Sequence, residues 1–117
     1  MILVDSSVWI DHFRRKDTTL TALLDADRVM THPYIIGELA LGHLHARAHI
    51  LPLLTSLPQA IVVEDWQVLA WIERHALHGQ GIGYIDAHLL ASASVSEAKL
   101  WTRDKHLNAC AKALGIT

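Results

Sequence analysis

Cysteine is almost absent from this sequence, and its scarcity limits the kinds of protein the chain can form. Cys110 is the only cysteine among 117 residues, so no internal disulfide can form. It lies in an alanine-rich helical pattern, which predicts a small buried side chain and a reducing compartment. Long apolar runs are lacking as well, since none approaches the ~18 residues of a membrane-spanning helix. We therefore expect a soluble, cytoplasmic protein with no membrane association.

Excess positive charge is also lacking, because 10 Lys and Arg residues stand against 12 Asp and Glu residues. With a net charge of −2, the protein has no overall positive field to attract nucleic acid, so any such contact must be local. Hydrophobic residues make up 51% of the chain, which excludes an intrinsically disordered protein and suffices for one core. At this length we expect a single domain over residues 1–117.

Short apolar runs alternate with helical patterns along the chain. The runs cover residues 2–4, 28–32, 60–63 and 99–102. Strands that alternate with helices form parallel sheets with right-handed crossovers. We therefore predict an α/β fold of three layers, α/β/α, around a central parallel sheet of four or five strands. The fifth strand would have to form from the few residues after the last helical pattern.

Acidic residues occur where the predicted strands end or the following helices begin. Asp5 directly follows the first strand, Asp104 follows the last, and Glu38 and Asp86 fall in the first turns of two helices. In a parallel sheet these positions share one edge, which is where ligands bind in open α/β folds. Taken alone, Asp5 is also a good helix N-cap, and for a single acid that is the commoner role.

Four carboxylates at one edge would repel one another at neutral pH unless a cation offsets their charge. All four are hard oxygen ligands with no cysteine partner, which favours Mg²⁺ or Mn²⁺ over structural zinc. A cation held in this way suits metal-assisted hydrolysis of a phosphodiester. The hydroxyl groups of Ser7 and Thr102 are candidates to orient the acids or bound waters.

Four stretches of the sequence, each containing one of these acids, resemble a known set of motifs. Residues 4–10, 36–39, 83–91 and 100–104 are similar, in order and roughly in spacing, to the acidic motifs of PIN-domain proteins. In particular they resemble the VapC ribonuclease toxins of bacterial VapBC toxin-antitoxin pairs. The likeness runs over nearly the whole chain.

This resemblance implies an activity and a set of partners. It implies a Mg²⁺- or Mn²⁺-dependent endoribonuclease that cleaves structured RNA, commonly tRNA or rRNA, and so inhibits translation. It also implies a VapB-like antitoxin that holds the toxin inactive, and a homodimer. We expect the dimer interface to use helices at the sheet edge, with Trp66 or Trp71.

The resemblance also assigns roles to particular residues. Four positions match the family's catalytic acids: Asp5, Glu38, Asp86 and Asp104. Asp5 and Asp86 match the metal ligands, and Ser7 and Thr102 match the supporting hydroxyl positions.

Four cations are candidate RNA contacts. Arg103 and Lys105 flank Asp104, whereas Arg14 and Arg15 lie at a predicted helix end. Each of them has an alternative role as a solvated surface charge.

Other functions compatible with these residues stay open. A catalytically inert module with the same fold would only bind a partner, since fold does not dictate function. A metal-dependent phosphatase of the haloacid-dehalogenase type also places an Asp after its first strand, but it needs a second acid where this chain has Ser7. A phosphoacceptor signalling domain would need an acidic pair after the first strand and an acceptor Asp after the third. Here Asp5 stands alone, although Asp65 closely follows the third apolar run.

The nine histidines raise the alternative of a zinc site. His43 with His45, and His75 with His78, lie close in sequence, but no Cys or Glu completes either pair at a familiar spacing. Three further histidines are expected to face solvent or substrate near the acidic residues: His12, His88 and His106.

Overall fold

The computed structural model describes residues 1–117 as three strands and seven helices, with a parallel sheet flanked by helices. The elements in chain order are β1 (Ile2–Val4), α1 (Ser6–Arg14), α2 (Thr18–Asp25), β2 (Val29–Met30), α3 (Pro33–Leu41), α4 (Arg47–Ser56), α5 (Asp65–Arg74), α6 (Tyr84–Val95), β3 (Lys99–Trp101) and α7 (Lys105–Ala113). The predicted α/β class is therefore confirmed. None of the helices combines the length and the apolar character needed to span a bilayer.

Strand β1 is the middle strand of the sheet, whose order is β2-β1-β3. Leu3 pairs with Met30 on one side and with Leu100 on the other, and it is fully buried, as expected for a strand covered on both faces. Since all three strands are parallel, their carboxyl ends lie at one edge of the sheet. Asp5 directly follows β1 there and Thr102 directly follows β3; we call this the acidic edge.

The sheet contains three strands, so the predicted number of four or five was wrong. Residues 60–63 were predicted as a strand, but the pairing here is a single bridge between Thr31 and Gln59. The Ala60 N–H donates to the Thr31 carbonyl (2.8 Å), and the pairing does not continue beyond it. The Ile61 N–H donates to Ser96 Oγ (2.9 Å) rather than to a neighbouring strand. Ile61 and Val62 are 55% and 50% exposed, so the middle of this apolar run lies on the surface. Ile61 and Val62 therefore belong to an exposed patch, whereas Ala60 belongs to the core.

The C-terminal residues do not form a fifth strand either. Gly115 ends α7 with a φ of +71°, a left-handed conformation that glycine adopts without strain. Beyond it, the Ile116 carbonyl accepts a hydrogen bond from the Leu100 N–H of β3 (2.7 Å). This single backbone hydrogen bond joins Ile116 to β3 but does not add a strand to the sheet.

Helix α6 runs through the interior and contacts both β3 and α5. Residues 87–93 are buried without interruption, which requires small or apolar side chains on every side of the helix. Alanine and leucine provide most of them. Because this burial immobilises α6, it also fixes the first turn of the helix, where Asp86 lies.

Candidate active site

Asp5 lies at the acidic edge between the two outer strands and is only 6% exposed. It occupies the N-cap position of α1, but its side chain makes no capping hydrogen bond. Instead, Oδ2 accepts hydrogen bonds from the Ser7 hydroxyl (2.7 Å) and the Thr102 hydroxyl (2.8 Å). The helix-cap alternative is therefore wrong for this side chain. Its second oxygen, Oδ1, accepts no hydrogen bond from the protein.

The two hydroxyl groups are held by the turn between β3 and α7. The Arg103 N–H donates to Ser7 Oγ (3.0 Å), and the Asp104 N–H donates to Thr102 Oγ1 (3.1 Å). Because each hydroxyl oxygen accepts a hydrogen bond from an amide, its own hydrogen can point at Asp5. Two amides and two hydroxyls together orient one carboxylate.

Glu38 and Asp86 come from two different helices. Glu38 lies in the middle of α3 rather than in its first turns, and Asp86 is in the first turn of α6, where its Oδ2 accepts the Gly83 N–H (3.0 Å). Burial raises the pKa of Glu38, and the charges of Asp5 and Asp86 raise it further. Burial also raises the pKa of Asp86 against the opposing effect of the Gly83 hydrogen bond, with additional increases from Asp5 and Asp104. These carboxylates are close enough to disfavour one another's ionisation.

Asp104 has a structural task as well as a place in this cluster. It is the N-cap of α7, and its Oδ1 accepts the N–H groups of His106 (2.9 Å) and Leu107 (3.0 Å). Its charge nevertheless contributes to the raised pKa of Asp86. The charge of each predicted acid thus interacts with that of at least one other: Glu38 with Asp5 and Asp86, and Asp86 with Asp5 and Asp104.

The cluster does not form a preassembled cage for an ion. No three Asp, Glu, His or Cys side chains are grouped as ligands of a common metal. A Mg²⁺ ion keeps several waters and takes only one or two carboxylates directly, so a site for it needs no cage of three protein ligands. The donors agree with this assignment, since all four are hard oxygens, and a nearby cation would lower the raised pKa values of Glu38 and Asp86. The histidine-based zinc alternative is left without a set of ligands.

The predicted RNA-contacting cations differ in their surroundings. Arg103 is paired: its Nη1 lies 3.0 Å from Asp11 Oδ2, and its Nη2 lies 2.6 Å from Asp17 Oδ2. Arg14 lines a surface groove of about 340 Å³ together with Glu38. Three of the four cations are exposed and make no ion pair: Arg14, Arg15 and Lys105.

His88 lies in the interior, so the expectation that it faces solvent or substrate was wrong. It is 1% exposed, and its Nε2 lies 2.8 Å from Asp65 Oδ1, which also accepts the Tyr84 hydroxyl (2.8 Å). This cluster links α5 to α6. The sequence contained one signal of this burial, because the residues next to His88 in α6 are apolar.

Sequence reasoning also missed the partners of Arg103. Asp11 and Asp17 lie 92 and 86 residues away from it along the chain. No local pattern marks an exposed aspartate on α1 as the partner of an arginine after β3. Only the folded chain brings them together.

Comparison with protein families agrees with this geometry: the model of the PIN domain matches residues 2–113, and the chain belongs to that family. Over 117 residues it is 48% identical to Ribonuclease VapC32 of Mycobacterium tuberculosis (strain CDC 1551 / Oshkosh) and to the protein of the same name from strain ATCC 25618 / H37Rv. Each alignment covers 99% of this chain and 94% of the relative. The resemblance to VapC-like PIN proteins is thereby confirmed.

Proposed function

We propose that this protein is a Mg²⁺- or Mn²⁺-dependent endoribonuclease and the toxin of a VapBC-type toxin-antitoxin pair. The observation that carries the proposal is the cluster of acids at the acidic edge, where burial raises the pKa of both Glu38 and Asp86 and the charge of Asp5 raises it further. Clustered like charges are typical of sites where a cation or a reaction offsets the repulsion. The identity to proteins named Ribonuclease VapC32 supports RNA as the polymer that is cleaved.

In this proposal Asp5 and Asp86 hold the metal ion, and Glu38 and Asp104 complete the catalytic quartet. Asp5 offers Oδ1 to the ion, because the hydroxyls of Ser7 and Thr102 occupy its Oδ2. A bound ion would polarise a phosphoryl oxygen and lower the pKa of an attacking water. Since its pKa is raised, Glu38 is the acid suited to accept a proton from that water.

RNA binding in this proposal is local, as the net charge of −2 requires. Lys105 lies next to Asp104 in sequence, and Arg14 and Arg15 lie at the end of α1, so these unpaired cations are the proposed phosphate contacts. Arg103 is not among them, because two carboxylates already neutralise its guanidinium. We propose structured RNA, tRNA or rRNA, as the substrate, and inhibition of translation as the outcome.

Two protein partners belong to the proposal. A VapB-like antitoxin would hold the toxin inactive. The protein would act in the cytoplasm, with residues 1–117 as a single domain. A second copy of the chain would cover the α5 patch, which we define as Ile61, Val62, Trp66 and Val95. These exposed apolar side chains line a groove of about 410 Å³, and Trp71 lines the same groove. This is the surface where the sequence predicted a dimer interface.

The test is cleavage of total cellular RNA by the antitoxin-free protein, with Mn²⁺ or Mg²⁺ and with EDTA. Asp5→Asn removes the charge but keeps the volume of the side chain, so it should lower cleavage at least ~100-fold while the protein stays folded. Asp27→Asn is the matched control, because Asp27 is exposed, lies before β2 and has a φ of 55°, a conformation that asparagine tolerates. That variant should cleave like the wild type.

Discrete fragments that require both the metal and Asp5 would support the nuclease, and sequencing their ends would identify the RNA. Full metal-dependent cleavage by Asp5→Asn would contradict the assignment of the site. If the folded wild type cleaves nothing with any divalent metal, the inert binding module replaces the nuclease as the better hypothesis.

A further inference from the structure

Arg103 connects three parts of the chain beside the acidic edge. Its guanidinium group contacts Asp11 on α1 (3.0 Å) and Asp17 immediately before α2 (2.6 Å). Its Cζ also lies 5.8 Å from the centroid of the Trp101 ring in β3. We call Arg103, Asp11 and Asp17 the Arg103 clip.

Both carboxylates of the Arg103 clip are held by regular structure. Asp17 is the N-cap of α2: its Oδ1 accepts the Leu20 N–H (2.9 Å), and its own N–H donates to His12 Nδ1 (3.0 Å). Asp11 lies within α1, the helix that begins directly after Asp5. The guanidinium group therefore contacts α1 and the N-cap of α2. Helix α1 also contains Ser7, which donates to Asp5.

The main chain of Arg103 contacts the site itself. Its N–H donates to Ser7 Oγ (3.0 Å), and Ser7 in turn donates to Asp5 Oδ2 (2.7 Å). The next amide along, that of Asp104, holds Thr102, which donates to the same carboxylate oxygen. One residue thus supplies a side chain that anchors the turn and an amide that lies two hydrogen bonds from Asp5.

We propose that Arg103 is a positioning residue: by docking on Asp11 and Asp17, it holds the turn after β3 against α1, so that Ser7 and Thr102 keep Asp5 oriented toward a metal ion. This inference rests on the proposed function, because it assigns Asp5 to the metal. It gives Arg103 no contact with RNA. One guanidinium between two carboxylates leaves the Arg103 clip with a net negative charge, which does not attract phosphate.

The two possible roles of Arg103 predict opposite effects when a carboxylate of the clip is neutralised. Asp11→Asn removes one anchor without removing any cation. If Arg103 positions the turn, this variant should lower kcat and leave KM almost unchanged. If Arg103 binds RNA, the variant should free the guanidinium and lower KM.

The experiment measures kcat and KM on the RNA cleaved by the wild type, together with two properties that need no RNA. These are the affinity for Mn²⁺, measured by calorimetry, and hydrogen exchange of the amides of residues 103 and 104. Arg103→Gln and Arg103→Lys accompany Asp11→Asn, since lysine keeps the charge but cannot bridge two carboxylates as the guanidinium fork does. Arg28→Ala is the control, because this exposed arginine lies before β2 and makes no side-chain hydrogen bond or ion pair.

We expect Asp11→Asn to lower kcat about tenfold, the size typical of residues that orient a metal ligand, with KM changed less than about twofold. Mn²⁺ should bind several-fold more weakly, and the two amides should exchange faster. Arg103→Gln should show the same changes to a larger extent, and Arg103→Lys should fall between it and the wild type. Arg28→Ala should match the wild type in every measurement.

Unchanged Mn²⁺ affinity and unchanged amide exchange in folded Asp11→Asn would overturn the inference, as would a lower KM with an unchanged kcat. If Arg103→Gln fails to fold, the nearly isosteric Asp11→Asn still decides the matter. If the wild type binds Mn²⁺ but cleaves no RNA, the nuclease proposal fails, and the Mn²⁺ and exchange measurements alone decide the role of the Arg103 clip. A wild type that does not bind Mn²⁺ would overturn both.

Discussion

A single oxygen of Asp5 receives two hydroxyl donors, and this detail determines what the residue can do. Hydrogen bonds to a charged acceptor stabilise a protein by about 1.5–3 kcal/mol each, and here they compensate for the burial of a carboxylate. They also leave Oδ1 as the oxygen without a protein partner. At the scale of one residue, stability and function depend on the same two hydroxyls, Ser7 and Thr102.

Ser7→Ala should reveal both contributions. The substitution removes one donor to Asp5 and leaves the Arg103 amide without its partner, so we expect a loss of about 1–3 kcal/mol in the free energy of unfolding. Cleavage should fall by roughly 10–100-fold. Ser94→Ala is the control, because Ser94 is exposed on α6 and its hydroxyl makes no hydrogen bond. Denaturant unfolding and RNA cleavage measure the two effects, and equal behaviour of the two variants would contradict the role of Ser7.

Glu38→Gln should stabilise the metal-free protein. Because the pKa of Glu38 is raised above its ordinary value of 4.5, the ionised group destabilises the folded state once the pH exceeds that value. Removing this partly buried charge, and with it the repulsion from Asp5 and Asp86, is worth about 0.2–1 kcal/mol, which is roughly 1–5 °C in the unfolding temperature. The gain should be present at pH 7 and disappear as the pH falls through the carboxylate range. Glu73→Gln, an exposed acid on α5, controls for the loss of charge, and a Glu38→Gln protein no more stable than this control would refute the prediction.

At the scale of elements, helix α3 begins with an unusual cap. His32 is fully buried; its Nδ1 accepts the Tyr34 N–H (3.0 Å), and its Nε2 pairs with Ser92 Oγ (3.1 Å). An acceptor nitrogen carries no proton, so the cap requires a neutral imidazole. Burial, together with a smaller effect of the nearby His88, lowers the pKa of His32 to about 4. The start of α3, the helix that carries Glu38, therefore depends on the protonation state of one histidine.

Stability should fall as the pH drops from about 6.5 to about 4. His32 is then protonated in the unfolded chain before it is protonated in the folded one, so the unfolded state binds more protons over this interval. The shift corresponds to about 3 kcal/mol, all of it present above pH 6.5 and lost by pH 4. In His32→Asn, the amide oxygen can cap α3 without titrating, and the difference in pH dependence from the wild type should equal this loss. His78→Asn, an exposed change, serves as the control in thermal unfolding across the pH range; parallel curves for all three proteins would refute the prediction.

At the scale of the whole molecule, the α5 patch is the surface that a second copy would cover. Trp66 is 70% exposed within it, and a buried tryptophan at the centre of an interface contributes about 2 kcal/mol or more to association. Trp66→Glu should therefore weaken self-association by at least about 30-fold, as measured by sedimentation velocity over a range of concentrations. Leu41→Glu is the control, because Leu41 is 91% exposed on α3 outside the α5 patch. A wild type that stays monomeric at every concentration, or a Trp66→Glu protein that associates normally, would rule out this interface.

Much of the fold and of the candidate site could be predicted because each signal is local. A strand followed by an acid marked Asp5, and parallel strands with their crossover helices required such acids to meet at one edge. The same local reasoning failed for residues 60–63, where an apolar run typical of a strand forms no strand and exposes Ile61 and Val62. It also failed for His88, whose environment depends on what packs around α6.

The amino-acid sequence by itself determined the order of the helices and of the three strands, and the positions of the four acids. The reason is that the spacing of hydrophobic residues and the ends of strands depend on neighbouring residues. Only the tertiary structure decided that Asp5 keeps Oδ1 free, that Arg103 is held by two aspartates and that Ile61 and Val62 are exposed. Each of these depends on side chains from distant parts of the chain that meet through packing. No local pattern records such a partner, so the folded molecule alone selects it.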